Sequence, residues 1–353
     1  MTGLCDPAMM DAVLWYGPGD LRLEQRTVPT AIPGSLILKV KACAVCGSDH
    51  RIFREGNARI TEPRILGHEI SGEIIEVGEG VTAFEIGDSV SVGADIPCGK
   101  CLQCLAGRGN CCETNLAMGY QYDGGFAEFV RIEPIVVELG PIRKFSHSLS
   151  YRLAALAEPL ACCLNGYERC AFQAGSTVVI FGAGPIGLML AILGKQMGAS
   201  AICVIEPTSH RRNKVSDFVD ARTIDPATED AVAVVLEWTD GLGADVVFTA
   251  CPAVETHKQA IAMIAPRGVV NLFGGLPKDA PEISVSSNHI HYREASITGS
   301  HGSTPAQHRA ALELIESGDI DLSPLVTHHI GLASLPDAMR SPDGYAIKVI
   351  VEP

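Results

Sequence analysis

Four cysteines in this chain, Cys98, Cys101, Cys104 and Cys112, are spaced C-x2-C-x2-C-x7-C. Three sulfurs three residues apart, with Gly99 and Gly107 permitting sharp turns, can wrap one side of a tetrahedral ion. A fourth from further along closes the shell, and four thiolates make a structural zinc site. The rival is an iron–sulfur cluster. The ferredoxin run, however, has three residues before its last cysteine and a proline after it; here the gap is seven residues and Glu113 follows. Incidental free thiols would have no packing reason to recur evenly in a polar, Gly-rich loop. Cys111, adjacent to Cys112, leaves the identity of the fourth ligand open.

A second group has room for chemistry. Cys46 follows the apolar run Leu36 to Val40, where a loop would emerge from a strand. By itself it reads as a buried thiol. Gly67-His68-Glu69 precedes a strand-like stretch, Ile70 to Val77, and an isolated His-Glu pair reads as a surface pair. Glu158 is a lone carboxylate in Leu156-Ala157-Glu158-Pro159-Leu160, and a buried carboxylate needs a partner or a metal. Cys, His and Glu together form a three-ligand set that leaves a place for water or substrate, the pattern of a catalytic zinc. Spacing alone does not bring these positions together in space.

A third group reads as a phosphate cradle. Ser176 to Phe181 is strand-like and is followed by Gly182-Ala183-Gly184-Pro185-Ile186-Gly187, an apolar helix to about Met197, and a strand from Ala201 to Ile205. In that context Gly182 permits a tight turn, Gly184 lets the backbone approach a pyrophosphate, and Gly187 lets helix and strand pack closely. The helix N-terminus adds the positive end of its dipole. Glu206 ends the second strand, where a carboxylate accepts both ribose hydroxyls and repels a 2′-phosphate, favouring NAD over NADP. Arg211 and Arg212 lie nearby and work against that preference. Ala221 to Ile224, Asp245 to Thr249, Gly268 to Phe273 and Ser296 to Thr298 complete six strands of a doubly wound sheet.

The elements that carry these groups belong to a chain of 353 residues, 47% hydrophobic and 19% charged. That excludes disorder and coiled coil and allows two domains. The formal net charge of −14 opposes a nucleic-acid or anionic-membrane partner, since both require a basic footprint. Thirteen cysteines without a secretory signal in Met1 to Met10 point to a reducing compartment, hence a cytoplasmic protein without a disulfide framework. Cys170 to Gly194 lacks charge over a membrane-spanning length. Its glycines and Pro185 break it into a strand, a loop and a buried helix instead.

Taken together these residues resemble the zinc-dependent medium-chain dehydrogenases, in the sorbitol and threonine dehydrogenase branch. Gly67-His68-Glu69-x2-Gly72-x5-Gly78-x2-Val81 matches the family's zinc signature, and the cysteine lobe and Gly-rich loop follow in the family's order. The resemblance spans nearly the whole chain after about Met10. It implies an α/β protein: a GroES-like, mostly-β catalytic domain over 1–157 and 299–353, with a zinc lobe at about 95–115. A doubly wound parallel Rossmann domain over 158–298 is inserted into it. Two zinc ions per chain are implied, one structural on Cys98, Cys101, Cys104 and Cys112. The catalytic one would rest on Cys46, His68 and Glu69, with Glu158 a ligand or the partner of zinc-bound water. NAD would lie on Gly182, Gly184, Pro185, Ile186, Gly187, Glu206 and Arg211.

Glu158 stands where the horse-liver type of alcohol dehydrogenase carries a second cysteine, which points to polyol rather than simple-alcohol chemistry. The relay histidine of many relatives is replaced by Arg51, with His50 one residue early and Ser48 in place. The expected reaction is oxidation of a secondary alcohol (a polyol, cyclitol or sugar-alcohol phosphate) to a ketone. Alternatives are a threonine or simple-alcohol dehydrogenase, an iron–sulfur redox protein, or a non-catalytic dehydrogenase-like scaffold. A small-molecule substrate and a homo-oligomer, dimer or tetramer, are implied as partners.

Overall fold

The strand Leu36–Ala44 runs antiparallel to Glu69–Val77 with Ala44 opposite Glu69. Cys46, just past the end of one strand, and His68, just before the start of the other, therefore emerge at the same edge. Two register shifts interrupt the pair, at Ile37/Leu38 and at Val40/Ala42. Gly72 sits opposite Val40, where a Cβ would stand 2.3 Å from the Lys39 carbonyl oxygen; the bulge brings the backbones too close for any side chain. The computed structural model describes residues 8–61 and 63–353. The segment up to Pro7, part of the stretch read above for a signal, lies outside the described residues.

The described chain divides into two units, one running to Ala161 and resuming with Gly302–Pro353, the other Cys162–His301. The sequence reading put the cuts at 157/158 and 298/299. By this division Glu158 falls in the unit that holds Cys46, His68 and Glu69. In that first unit a seven-stranded sheet has the order Ile142–Lys144, Ser89–Val92, Glu69–Val77, Leu36–Ala44, Lys348–Val351 and Val326–Ile330, with Phe129–Ile132 also pairing Leu36–Ala44. A smaller sheet joins Asp20–Thr27, Met9–Gly17 and Arg64–Ile65. Leu36, Leu38, Ile70, Ile74, Val90 and Val92 are fully buried in the core formed by these sheets. Lys348–Val351 lies antiparallel to Leu36–Ala44 with Ile350 opposite Ala44, which carries Lys348 past Ala44 to the Cys46 edge.

The second unit is a six-stranded parallel sheet ordered Arg222–Ile224, Ala201–Ile205, Thr177–Phe181, Ala244–Thr249, Ile264–Leu272 and Ser296–Gly299. Strand order reverses beside Thr177–Phe181, the point at which doubly wound sheets bind ligands. Val178 to Phe181 are all buried, as expected for a strand covered on both faces. The fifth strand begins at Ile264, earlier than the sequence suggests, because Ile264 pairs with Ala244 across a register shift. The uncharged stretch from Cys170 resolves into the strand Thr177–Phe181 and the 12-residue helix Pro185–Gln196. Among the described residues no helix is long and apolar enough to cross a membrane.

Candidate active site and metal centres

Cys46, His68 and Glu69 converge, each offering a ligand atom, with these atoms within 4.8 Å of one another. Cys46 caps the helix Gly47–Glu55, and its backbone N–H donates to Asp49 Oδ2 at 2.9 Å. The other oxygen of Asp49 lies 3.5 Å from His68 Nδ1. Such a carboxylate fixes the ring's tautomer and leaves Nε2 for a metal. Burial pushes the Asp49 carboxyl up, but His68 and the Cys46 N–H outweigh it and hold it below its ordinary range. Burial likewise lowers the His68 ring, and Asp49 more than reverses this, leaving it well above the ordinary histidine value. A proton and a cation at Nε2 exclude each other, so metal affinity at this site depends on pH.

Glu69 is fully buried and paired with Lys348, whose ammonium donates to Oε1 at 2.7 Å and lies 2.5 Å from Oε2. Lys348 also donates to the Val45 carbonyl at 3.1 Å. Burial would lower the Lys348 ammonium, but Glu69 and Cys46 hold it above its usual value. Glu158 is buried at the start of its helix, outside the group of atoms that close within 4.8 Å. Its carboxyl is pushed up to about 7, chiefly by burial; His68 lowers it while Glu69 and Asp95 raise it. Ser48 Oγ stands 3.3 Å from His68 Nε2. His50, the other relay candidate, is half-buried and its ring is lowered by burial; Ser48 is the hydroxyl that meets His68.

Cys98, Cys101, Cys104 and Cys112 form the second converging group, again within 4.8 Å of one another. Cys98 and Cys104 sulfurs are 4.0 Å apart, close to the edge of about 3.8 Å of a tetrahedron with 2.3 Å zinc–sulfur bonds. Cys101 caps the one-turn helix Leu102–Leu105 and accepts from the Cys104 N–H. Cys112 is pushed up by burial, but backbone N–H groups of Asn115, Cys98 and Thr114 bring its thiol down to about 6. Such a thiol gives up its proton to a metal readily. Cys111 is exposed and stands outside this group, so Cys112 is the fourth sulfur that converges. The donor sets of both groups fit zinc.

In the second unit Gly182 has φ +104 and its N–H donates to the Ile205 carbonyl at 2.8 Å. A Cβ at Gly187 would stand 1.8 Å from the Gly182 carbonyl oxygen, so the turn closes only with glycine there. Pro185 opens the helix, followed by Ile186. Glu206 is buried and accepts from the Ala183 and Thr208 N–H groups, each at 2.8 Å. Arg212 is committed to the Glu206 carbonyl and to Asp225, 2.7 Å each. The Arg211 guanidinium lies over the loop, 3.9 Å from where a Gly184 Cβ would be.

Several functional positions escaped the sequence reading. Asp49 had a local signal, three residues from Cys46 at the capping position of a helix. Lys348 had none. Tyr120 packs its ring 6.1 Å from that of His68. The guanidinium of Arg59 sits over the same ring, 4.7 Å from its centroid.

Residues 32–140 match the family model of the alcohol dehydrogenase GroES-like domain, and residues 185–317 that of the zinc-binding dehydrogenases. The chain is 34% identical to the sorbitol dehydrogenase of Halalkalibacterium halodurans over 96% of this chain and 97% of that one. It is 31% identical to the L-threonine 3-dehydrogenase of Caldanaerobacter subterraneus subsp. tengcongensis over 95% and 96%. A zinc-binding dehydrogenase from Sinorhizobium meliloti 1021, solved with NADP, superposes with a TM-score of 0.92 at 32% identity, covering 98% of this chain and 100% of that one.

Proposed function

The chain belongs to the zinc-dependent medium-chain dehydrogenases, and on that premise we propose that it oxidises a secondary alcohol of the polyol class to the ketone with NAD. The oxidoreductase class, zinc and a nicotinamide cofactor come with the family. The observation that carries the site assignment is the convergence of Cys46, His68 and Glu69 about an Asp49-oriented imidazole. Bound there, zinc would supply Lewis acidity that lowers an alcohol's pKa, and a bound nicotinamide would supply the hydride acceptor.

This chain's own residues do the rest. Cys46, His68 and Glu69 would hold the ion, leaving its fourth position to substrate. Asp49 keeps the proton on Nδ1 of His68 and presents Nε2. Lys348 holds the Glu69 carboxylate in place through contacts to both its oxygens. Ser48 Oγ is positioned to take the hydroxyl proton. Glu158, whose carboxyl rises to about 7, exchanges a proton beside the reacting oxygen rather than binding the ion. One thiolate and one carboxylate balance the charge of a divalent cation, and a second bound carboxylate would weaken its Lewis acidity.

NAD is preferred because both Glu206 oxygens are held by backbone N–H groups at the end of the second strand, and Arg212 is occupied by Asp225. The NADP-bound neighbour and Arg211 beside Gly184 support the other choice. We also infer a homo-oligomer, dimer or tetramer, in the cytoplasm; light scattering and cell fractionation read these directly.

The test is a screen of polyols, cyclitols, sugar-alcohol phosphates and L-threonine with NAD and NADP, following reduced-cofactor absorbance before and after chelation. Zinc content of Glu69→Ala and Glu158→Ala is measured alongside. Glu69→Ala should lose the catalytic ion, whereas Glu158→Ala should keep it and lose about 10–100-fold in activity. Zinc lost from Glu158→Ala but kept in Glu69→Ala reverses the assignment. A zinc-loaded protein that turns over none of these alcohols refutes the polyol reading.

A further inference from the structure

Arg59 is half-buried and stands on a platform built against the metal ligands. Its guanidinium lies 4.7 Å from the centre of the Tyr120 ring, which in turn lies 6.1 Å from the ring of His68. These two spacings cap the distance from guanidinium to imidazole at a length comparable to an extended five- or six-carbon chain ending in a charged group. The arginine is held by neutral groups. Its Nη2 donates to the Asn115 carbonyl and, at 3.5 Å, to Gln121 Oε1, while the Gln121 amide donates back to the Arg59 carbonyl at 3.3 Å. Gln121 is itself pinned by the Ala117 N–H at 3.0 Å.

None of these partners balances the charge, and among the described residues no carboxylate pairs with Arg59. Arg22, Arg64, Arg131, Arg152 and Arg212 all have a carboxylate within 3.1 Å. The other cation of the site, Lys348, is committed to Glu69. A planar guanidinium that is oriented by carbonyls and stacked on an aromatic ring is preorganised for a carboxylate or phosphate.

We propose that Arg59 receives an anionic group on the substrate, so that the alcohol oxidised here is an acidic polyol: a sugar acid or a sugar-alcohol phosphate. The proposal rests on the dehydrogenase reading and deepens it. The hydroxyl is presented at Cys46, His68 and Glu69, and the carboxylate or phosphate, further along the carbon chain, docks on Arg59 beside Tyr120.

The experiment compares three probes of one carbon skeleton: sorbitol, gluconate and sorbitol 6-phosphate. Each is tested with the zinc- and cofactor-loaded enzyme and with Arg59→Gln and Arg59→Lys. At least one anionic probe should exceed sorbitol in kcat/KM. Arg59→Gln should cost that probe about 10- to 100-fold more than it costs sorbitol, mainly through KM, with partial rescue by Arg59→Lys. Gluconate favoured over sorbitol 6-phosphate marks a carboxylate site, and the reverse marks a phosphate site. Equal kcat/KM on all three probes, or an equal loss on all three in Arg59→Gln, overturns the proposal. Calorimetric binding of the two anionic probes keeps the test independent of turnover. Binding that weakens at least tenfold in Arg59→Gln supports the anion site even if no probe is oxidised, in which case the dehydrogenase reading is what fails. Unchanged binding refutes the anion site alone.

Discussion

The ion pair of Lys348 with Glu69 offers the sharpest test of how the first unit holds its metal ligands. Both side chains are essentially without solvent exposure, at 3% and 0%, and the ammonium contacts both carboxylate oxygens and the Val45 carbonyl. Replacing Lys348 with methionine keeps the volume and removes the charge. Glu69 is left as a buried anion, and breaking a buried pair from one side typically costs about 3–5 kcal/mol. At about 2–4 °C per kcal/mol for a unit of this size, the metal-free protein should melt about 6–20 °C lower. Zinc at Cys46, His68 and Glu69 returns a cation to the carboxylate, so the loss should shrink when the protein is zinc-loaded. The double variant Lys348→Met with Glu69→Gln should recover much of the metal-free loss, because the stranded charge is gone. The assay is calorimetric melting of the parent and both variants at pH 7, chelated and zinc-loaded. If Lys348→Met melts within about 2 °C of the parent without metal, or if the double variant melts no higher than the single one, the reasoning is refuted.

Elemental analysis should find two zinc ions per chain, and iron with acid-labile sulfide would contradict the ligand reading. Cys112→Ser should lose one zinc and destabilise the lobe, Cys46→Ser should lose activity with little change in melting, and Cys111→Ser should change neither. Glu206→Ala removes the acceptor of two backbone N–H groups, that of Ala183 buried, and should raise KM for NAD about tenfold or more while narrowing the NAD over NADP preference. A parent enzyme already faster at low NADP than at low NAD would defeat that reading. His308 is fully buried, with Ser91 Oγ 3.2 Å from its Nε2; burial, with Arg143 nearby, lowers its ring to about 3. Its folded pKa is depressed below the unfolded value of about 6.5, so its contribution is full above pH 6.5 and lost as pH falls toward 3. His308→Gln should flatten the stability profile in that window, a contribution on the order of 5 kcal/mol, and an unchanged slope by urea unfolding would exclude it.

The sites legible in the sequence are those whose parts lie close along the chain. Four cysteines within fifteen residues can reach one ion because short loops confine them, and Gly182 to Gly187 make their turn through their own backbone geometry. The inner strands of the second unit were readable because parallel strands covered on both faces leave continuous apolar runs, whereas the edge strands Arg222–Ile224 and Ser296–Gly299 are largely exposed. Gly-His-Glu was recognisable as a motif, but its meeting with Cys46 depends on the register of Leu36–Ala44 against Glu69–Val77, which pairs Ala44 with Glu69. Lys348 was silent. It reaches Glu69 across 279 positions because the strand Lys348–Val351 adds to the far side of Leu36–Ala44. Arg59 and Tyr120, in separate loops, carry no pattern that spacing can reveal. Covalent proximity decides a local turn or a ligand cluster from the sequence alone. A buried charge pair or a stacked guanidinium depends on which strands and loops pack side by side, and only the tertiary structure decides that.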